Sequence, residues 1–272
     1  MKYARIEHEG RSYPAVLMDG GWVELDGDLA EVYAGQPPGP KRDSPTITDP
    51  RFLSPYSGGT IFGIGLNYKQ TIDEMGFPMP EEPYLFPKLA CSVTGPNDPV
   101  VADPEVSTEV DWEGELAVII GKPAHKVCIA DALDHIWGYT AANDVSARDI
   151  QRRDPQWVRG KGLNTFCPLG PVAVSKDEIS DPHDITIRTW VSGELVQDGS
   201  TSDMLFRIPE LIEYLSRYFS LQPGDIILTG TPSGCGGFMD PQRFVKPGDD
   251  MRVEVGGIGT LHNPVIASDS GS

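Results

Sequence analysis

Two acidic residues stand close together in the segment 110–120, and their spacing suggests metal chemistry. Glu113 and Glu115 are two residues apart, so on a β-strand both side chains point to the same face. The segment continues as an apolar run over residues 116–120, which is typical of a strand that enters a core. Buried carboxylates need a partner, and Mg²⁺ or Mn²⁺ is a simple one because both ions prefer oxygen ligands.

The same spacing has a second interpretation, a solvated strand end with both carboxylates in water. Open sheet edges favour charge, and the spacing alone favours this interpretation. A third carboxylate, Asp144, follows in the segment 141–149 and is a further candidate ligand. The rest of the chain has to decide between a metal site and a solvated edge.

Composition limits the class of protein. The chain has 272 residues, of which 39% are hydrophobic, and this is enough for a sizeable core. Its 30 glycines and 25 prolines mostly separate short apolar runs, which predicts a mainly β fold with some α-helix. The net charge of -18 argues against nucleic acid and anionic membranes as partners, because both attract basic patches.

Cysteine spacing and the first residues bear on compartment. The chain has four widely spaced cysteines and no C-x-x-C pair, which argues against a zinc site, a redox pair or a disulfide framework. The start of the chain lacks the apolar core of a secretion signal, and the apolar runs are far shorter than the ~20 residues of a membrane span. We therefore expect a cytoplasmic protein.

Turn signals divide the chain into a small first part and a larger second part. Residues 1–25 are typical of a β-meander, and the Gly- and Pro-rich residues 34–59 predict a linker. The sequence thus predicts a small N-terminal β domain with its linker over 1–59 and a main domain over 60–268. The small polar residues 269–272 predict a flexible tail.

Local patterns predict several elements of the main domain. Apolar residues at helical spacing predict a helix over about 204–219, with Asp203 as its cap. A short helix or lid is predicted within 67–76, ending at a glycine, and Ser192-Gly193 predicts a hairpin turn. Further strands are predicted over 61–66, 185–191, 225–229 and 251–255.

Several segments of the main domain resemble the fumarylacetoacetate hydrolase (FAH) family. Any one of them alone would be weak, but five in family order form a strong signal. The resemblance covers roughly residues 60–268, and the first part of the chain is similar to the family's small N-terminal β domain. The segments are Asn67-Tyr68, Glu113-x-Glu115, residues 143–149, Lys161-Gly162 before residues 165–171, and the turn 230–234.

The resemblance implies an FAH-type β-roll of mixed sheets around an active site, usually in a homodimer. It also implies that Glu113, Glu115 and Asp144 hold a divalent cation, Mg²⁺ or Mn²⁺. A small 2-oxo acid could chelate this cation, whose Lewis acidity would stabilise an enolate. The family's reactions draw on that chemistry: hydrolysis of acylpyruvates and other β-diketones, decarboxylation of oxaloacetate-like acids, isomerisation of dienoates and dehydration of sugar acids.

Five further residues are candidates for contact with an anionic substrate. Lys161 matches the family's active-site lysine and could stabilise an oxyanion, although it could also be a surface lysine on a Gly-rich loop. Arg148 and Gln151, one helical turn apart, could hold a substrate carboxylate, unless Arg148 simply pairs with a neighbouring acid. Thr231, in a turn that could hold an anion, and Tyr68 could contact the substrate or serve only in packing.

The first family motif departs from its usual pattern. Many family hydrolases have a His and a Glu there, and this dyad activates water. Here Thr71 stands in the place of the histidine, while Glu74 is retained. A threonine hydroxyl is not a general base near neutral pH, although it could orient a water. Glu74 could act as the base, alone or with Lys69 or Lys161. A second departure is Asn164, where many members have Asp.

We therefore expect a metal-dependent FAH-family enzyme. The preferred reaction is C–C cleavage, by hydrolysis or decarboxylation, in a 2-oxo acid or β-dicarbonyl carboxylate such as an acylpyruvate. An isomerase, tautomerase or dehydratase acting on a related dienoate or sugar acid is the alternative. A third hypothesis is a metal- and ligand-binding protein that has lost turnover through Thr71. The missing histidine weakens hydrolysis more than decarboxylation or tautomerisation, because these rely mainly on the metal.

Overall fold

The structure is a computed structural model that describes residues 1–268. Within this range the chain forms eighteen strands and six α-helices, so it is mainly β with some α, as predicted. The predicted flexible tail, 269–272, lies outside the described residues.

The elements are numbered in chain order. The strands are β1 Lys2–His8, β2 Arg11–Met18, β3 Gly21–Glu24, β4 Arg51–Leu53, β5 Ile61–Gly65, β6 Tyr84–Lys88, β7 Val93–Thr94, β8 Val100–Val101, β9 Val110–Asp111, β10 Gly114–Ile120, β11 Ile136–Asn143, β12 Ser146–Ala147, β13 Cys167–Ser175, β14 Thr186–Val191, β15 Glu194–Ser200, β16 Ile226–Leu228, β17 Asp250–Val255 and β18 Gly259–Ile266. The helices are α1 Leu29–Tyr33, α2 Lys69–Met75, α3 Ile129–Ala132, α4 Arg148–Arg153, α5 Val158–Lys161 and α6 Ile208–Tyr218.

One sheet of eleven strands contains most of the strands that surround the site. Its order is β3-β2-β1-β13-β11-β10-β16-β5-β6, with β4 paired to β1 and β7 paired to β13. Most pairs are antiparallel, but β16 runs parallel to β5 and β7 parallel to β13, so the sheet is mixed. Strand β10 is buried at every residue between β11 and β16, which explains its unbroken apolar run.

The N-terminal meander continues this large sheet, because β1 pairs antiparallel with β13. Strand β4 lies inside the predicted linker 34–59 and pairs with β1, so sheet hydrogen bonds order this part of the linker. The division of the chain into domains at residue 60 stays a prediction.

A second sheet packs against the first. It has five strands in the order β15-β14-β17-β18-β8, and a separate pair joins β9 to β12. Leu116 and Val118 of β10 share one apolar cluster with Ile187 of β14 and Val253 of β17, so the two sheets face each other across a core. The hairpin predicted at Ser192-Gly193 connects β14 to β15.

Helix α6 begins later than the predicted 204, at Ile208. The Arg207 N–H donates to Glu210 Oε2 at 2.7 Å, and a proline in the first turn favours a helix start here. Asp203, predicted as the cap, instead accepts the Gln70 N–H at 2.9 Å, at the start of α2. The predicted apolar stripe of α6 is buried in the core. Helix α2 ends as predicted at a glycine with φ 67°.

No helix within residues 1–268 is long and apolar enough to cross a membrane.

A histidine from a neighbouring loop binds the first turn of α6. The Ile208 N–H donates to His183 Nε2 at 3.2 Å. An imidazole nitrogen accepts a hydrogen bond only when it carries no proton, so protonation of Nε2 removes this contact. Burial, together with the charge of Arg207, lowers the pKa of His183 from the ordinary 6.5.

We predict that His183 makes folding sensitive to acid. Because its pKa is lower in the folded state than in the unfolded chain, the neutral ring contributes stability above the unfolded pKa, and this is lost as pH falls through the folded pKa. The measurement is Tm at about pH 7.5 and at about pH 5, from thermal melts that are reversible on cooling. Between these two pH values, the Tm of His183→Gln should fall less than that of the wild type. The control is His125→Gln, since that ring is exposed. An equal acid response of the His183→Gln variant and the wild type would contradict this role.

Candidate active site

The acidic segment passes from one sheet to another. We expected one strand over 110–120, but β9 belongs to the two-stranded sheet and β10 to the large one, with Trp112 and Glu113 between them. Glu113 and Glu115 are only 6% and 1% exposed. A solvated strand end is therefore excluded.

The three predicted metal ligands lie together. One carboxylate oxygen from each of Glu113, Glu115 and Asp144 lies within 4.8 Å of the other two. Antiparallel pairing of β10 with β11 brings Gly114 opposite Asn143, and the Asp144 N–H then donates to the Glu113 carbonyl at 2.9 Å. Sheet pairing thus brings together acids that are 31 residues apart in the sequence at most.

Three buried cations accompany the acids. Lys161 Nζ donates to Glu113 Oε1 at 2.8 Å and to Asp144 Oδ2 at 2.6 Å. Arg148 Nη1 lies 2.7 Å from Glu113 Oε1, and Lys88 Nζ lies 2.7 Å from Asp144 Oδ1. Arg148 therefore does pair with a neighbouring acid, and Lys161 is a buried residue of this cluster rather than a surface lysine.

The surrounding charges shift the pKa values of the two glutamates in opposite directions. Burial alone would raise the pKa of Glu113, but the charges of Lys161 and Arg148 outweigh it and lower the pKa to about 2. Burial and the charges of Asp144 and Glu113 raise the pKa of Glu115 well above its ordinary value. Burial would lower the pKa of Lys161, but the charges of Asp144 and Glu113 raise it, so this lysine stays cationic.

One buried carboxylate oxygen of the cluster fits a metal site in particular. Among the described residues, Glu115 Oε1 has neither a hydrogen-bond donor nor an ion-pair partner. The other Glu115 oxygen accepts the Gly230 N–H at 2.7 Å. Asp144 Oδ1 lies 2.7 Å from the Lys88 ammonium, which also donates to two backbone carbonyls. A buried oxygen without a donor, such as Glu115 Oε1, is costly, and an all-oxygen ligand set suits Mg²⁺ or Mn²⁺, so these residues fit a divalent cation.

A small cleft with a cavity volume of about 30 Å³ opens at this cluster. Met75, Trp157 and Phe238 contribute apolar walls, whereas Glu115 and Asp144 are not part of the lining. The structure therefore places six of the predicted site residues around one cavity. These are Thr71, Glu113, Arg148, Gln151, Lys161 and Thr231.

Helix α2 meets the turn 230–234 through the two residues of the altered motif. The Thr71 hydroxyl donates to the Thr231 carbonyl at 2.8 Å. Glu74 is exposed, accepts the Gly234 N–H at 3.0 Å and does not line the cleft. The catalytic roles of Thr71 and Glu74 stay predictions.

The remaining residues predicted to contact a substrate differ in whether their polar groups already form hydrogen bonds within the protein. The Thr231 hydroxyl donates to the Gly114 carbonyl at 2.9 Å and accepts from Gln197 Nε2 at 2.8 Å. Tyr68 is fully buried, and its hydroxyl has no hydrogen-bond partner within residues 1–268. Asn164, the second departure from the family pattern, is exposed and lies outside the cleft lining.

Sequence reasoning missed four buried polar residues of the site: Lys88, Asp111, Ser146 and Gln197. Ser146 Oγ donates to Glu113 Oε1 at 2.9 Å, and Gln197 Oε1 accepts the Gly114 N–H at 3.0 Å. Asp111 could have been found, because it stands two residues before Glu113. Lys88 and Gln197 come from distant strands, and no spacing in the sequence connects them to the acids.

Known proteins are similar to most of this chain. The fumarylacetoacetate (FAA) hydrolase C-terminal family matches residues 60–266. The mitochondrial oxaloacetate tautomerase fahd2 of Xenopus laevis is 49% identical over 208 residues, which are 76% of this chain and 65% of that protein, less than two thirds of its length. The oxaloacetate tautomerase YisK of Bacillus subtilis is 47% identical over 213 residues, 78% of this chain and 71% of that protein.

The fold is also similar to a solved structure, the fumarylacetoacetate hydrolase of the psychrophilic Exiguobacterium antarcticum. The TM-score is 0.90 at 38% sequence identity, and the similarity covers 98% of this chain and 99% of that one. This confirms the predicted FAH-type fold of mixed sheets. The order of the motifs, the matched residues 60–266 and the shared fold together establish that the chain belongs to the fumarylacetoacetate hydrolase family.

Proposed function

We propose that this enzyme is a divalent-metal-dependent tautomerase that interconverts the keto and enol forms of a small 2-oxo dicarboxylate such as oxaloacetate. The observation that carries the proposal is the Thr71 hydroxyl, which donates to the Thr231 carbonyl where the family's hydrolases have a water-activating histidine. The names of the two tautomerase relatives support it. This order of preference reverses the one drawn from the sequence, which put C–C cleavage first.

Tautomerisation makes smaller demands on the site than hydrolysis. A base removes one proton from C3, the C2 carbonyl becomes an enolate, and the enolate oxygen takes up a proton. No water is consumed and no C–C bond breaks, so a group that activates water is not required. Glu74, retained in the altered motif, stays the candidate proton acceptor, although its carboxylate is exposed outside the cleft lining and accepts the Gly234 N–H.

Glu113, Glu115 and Asp144 would hold the cation, Mg²⁺ or Mn²⁺, which when bound would supply Lewis acidity that stabilises the enolate charge. When all are ionised, these three acids and Asp111 carry four negative charges against the three positive charges of the buried cations. The cluster then has a charge of −1, and a dication changes it to +1. A bound cation therefore strengthens the attraction of the cleft for a small anion.

Two side chains are suited to bind such an anion. Lys161 lines the cleft, is held cationic by two carboxylates and can donate a hydrogen bond to the keto oxygen as charge develops on it. Arg148 also lines the cleft, and its Nη2 has no hydrogen-bond partner in the described part of the chain. It would bind a carboxylate of the substrate beside Gln151.

The test uses protein stripped with EDTA and then supplied with Mg²⁺ or Mn²⁺. Loss of the oxaloacetate enol is followed by its ultraviolet absorbance, while pyruvate is measured in a coupled assay. We expect metal-dependent loss of enol without pyruvate. Pyruvate formed in step with enol loss would instead identify a decarboxylase. Without metal-dependent turnover of oxaloacetate or acylpyruvates, the binding-only hypothesis would be favoured.

Removing one carboxylate tests the cation site itself. Glu115→Gln should weaken Mn²⁺ binding by at least about 100-fold, because replacing even the partners of metal ligands often costs 10–100-fold in affinity. Isothermal titration calorimetry measures the affinity, and Glu74→Gln is the control because Glu74 is an exposed acid outside the cleft lining. Undiminished affinity and stoichiometry in Glu115→Gln would show that Glu115 is not a ligand.

Restoring the missing histidine tests the account of the altered motif. Thr71→His should raise acetylpyruvate hydrolysis by at least about tenfold, because a general base typically contributes about 10²–10⁴-fold. Release of acetate and pyruvate is the measurement. Thr71→Val is the control, since it removes the hydroxyl without adding a base and should gain no hydrolysis. If Thr71→His gains none either, another group already activates water or the missing base is not what limits hydrolysis.

The homodimer and the cytoplasmic location stay predictions. One of the tautomerase relatives is named as mitochondrial and the other is bacterial.

A further inference from the structure

Asp111 lies next to Arg148 but is not part of the cleft lining. Its carboxylate is completely buried and accepts four hydrogen bonds. One comes from Arg148 Nε at 2.7 Å. The others come from the N–H groups of Trp112, Gly236 and Gly237, at 2.9, 2.8 and 2.9 Å. Four donors from three separate segments hold this acid in one place.

The position of Asp111 determines the orientation of the Arg148 guanidinium. Nε binds Asp111, whereas Nη1 lies 2.7 Å from Glu113 Oε1 and donates to Gln151 Oε1 at 3.0 Å. The guanidinium also lies over the Phe238 ring, 4.9 Å from its centroid. Because a guanidinium is planar, fixing Nε and Nη1 also fixes the direction of Nη2, the nitrogen left without a partner among residues 1–268.

Two glycines allow the loop backbone to reach the acid. A Cβ on Gly236 would lie 1.9 Å from the Arg243 carbonyl oxygen. A Cβ on Gly237 would lie 3.1 Å from both Arg148 Cγ and Asp111 Oδ2. The loop therefore packs directly on the pair formed by Asp111 and Arg148, and even a methyl group at Gly237 would press on it.

We propose that Asp111 is a positioning residue for substrate binding, which holds Arg148 so that Nη2 is available to a carboxylate of the substrate. The inference rests on the proposed function, which supplies a small anionic substrate. The substrate keeps this carboxylate from the bound state through the transition state. Its contact with Arg148 is therefore uniform binding, and losing that contact raises KM while kcat changes little.

The first experiment replaces the acid by its amide. Asp111→Asn should raise the KM for oxaloacetate by about 10- to 100-fold, the value of a hydrogen bond to a charged group, with little change in kcat. The matched control is Glu109→Gln. Glu109 is the ion-pair partner of Arg152, an exposed residue of α4, the helix that also contains Arg148. This variant should leave KM unchanged. A fall in kcat at unchanged KM in Asp111→Asn would overturn the proposal.

A double-mutant cycle separates positioning from a general structural role. In an Arg148→Met background, Asp111→Asn should cause no further rise in KM, because the residue through which it acts is absent. A rise as large as that in the wild type would overturn the proposal.

Gly237→Ala is the second variant in case Asp111→Asn does not fold, since it displaces the pair without removing either charge. It should raise KM in the wild type but not in the Arg148→Met background, and an unchanged wild-type KM would contradict positioning.

Calorimetric titration with oxalate in the presence of Mg²⁺ separates this inference from the proposed function. The binding of oxalate can be measured without turnover. Asp111→Asn should weaken this binding by a factor similar to the rise in KM. A wild type that binds oxalate but does not tautomerise oxaloacetate would overturn only the proposed function. Wild-type oxalate affinity in Asp111→Asn would overturn this inference. A wild type with neither property would overturn both.

Discussion

The burial of three carboxylates within 4.8 Å of one another constrains where the surrounding elements can lie. Buried like charges repel strongly and lose their hydration, so the fold has to supply cations at the same place. It does so from three elements: Lys88 ends β6, Arg148 begins α4 and Lys161 ends α5. Each of these cations touches at least one acid. A displacement of β6, α4 or α5 would leave a charge without its partner, so the cluster fixes where these elements lie relative to β10.

The same constraint limits what the cleft can offer to a substrate. Many polar groups that the sequence offers as candidate substrate contacts form hydrogen bonds within the protein. The Gly230 N–H binds Glu115, the Thr71 hydroxyl binds the turn 230–234, and the Thr231 hydroxyl bridges two strands. Lys161 and the buried Nη2 of Arg148 remain as donors beside the acids. Few donors close together favour a small substrate with closely spaced oxygens, and they favour chemistry in which charge develops on one of them.

Local pattern and motif order could predict the parts of this site that lie on one strand or in one motif. Glu113 and Glu115 follow the period of a strand, and the run that follows is β10. The break at Trp112 could not be predicted, because β9 leaves the large sheet to pair with β12, which is a tertiary contact. Lys88 was missed for the same reason: its contact with Asp144 joins residues 56 positions apart. Glu74 shows the converse limit of a motif. Its position in the motif is retained, but the motif could not show that its side chain on α2 is exposed and lies outside the cleft lining.

The strongly acidic composition and an anionic substrate are compatible because the two act over different distances. A net charge of -18 repels anions at long range, but at physiological ionic strength such interactions are screened beyond about 8 Å. Within the cleft, Lys161, Arg148 and a bound dication would lie close to the proposed substrate, and screening there is weak because both side chains are buried. Large polyanions meet the acidic surface along their whole length, whereas a small dicarboxylate meets only the cleft. Under the proposed function, this charge distribution would therefore favour a small anion over a large one.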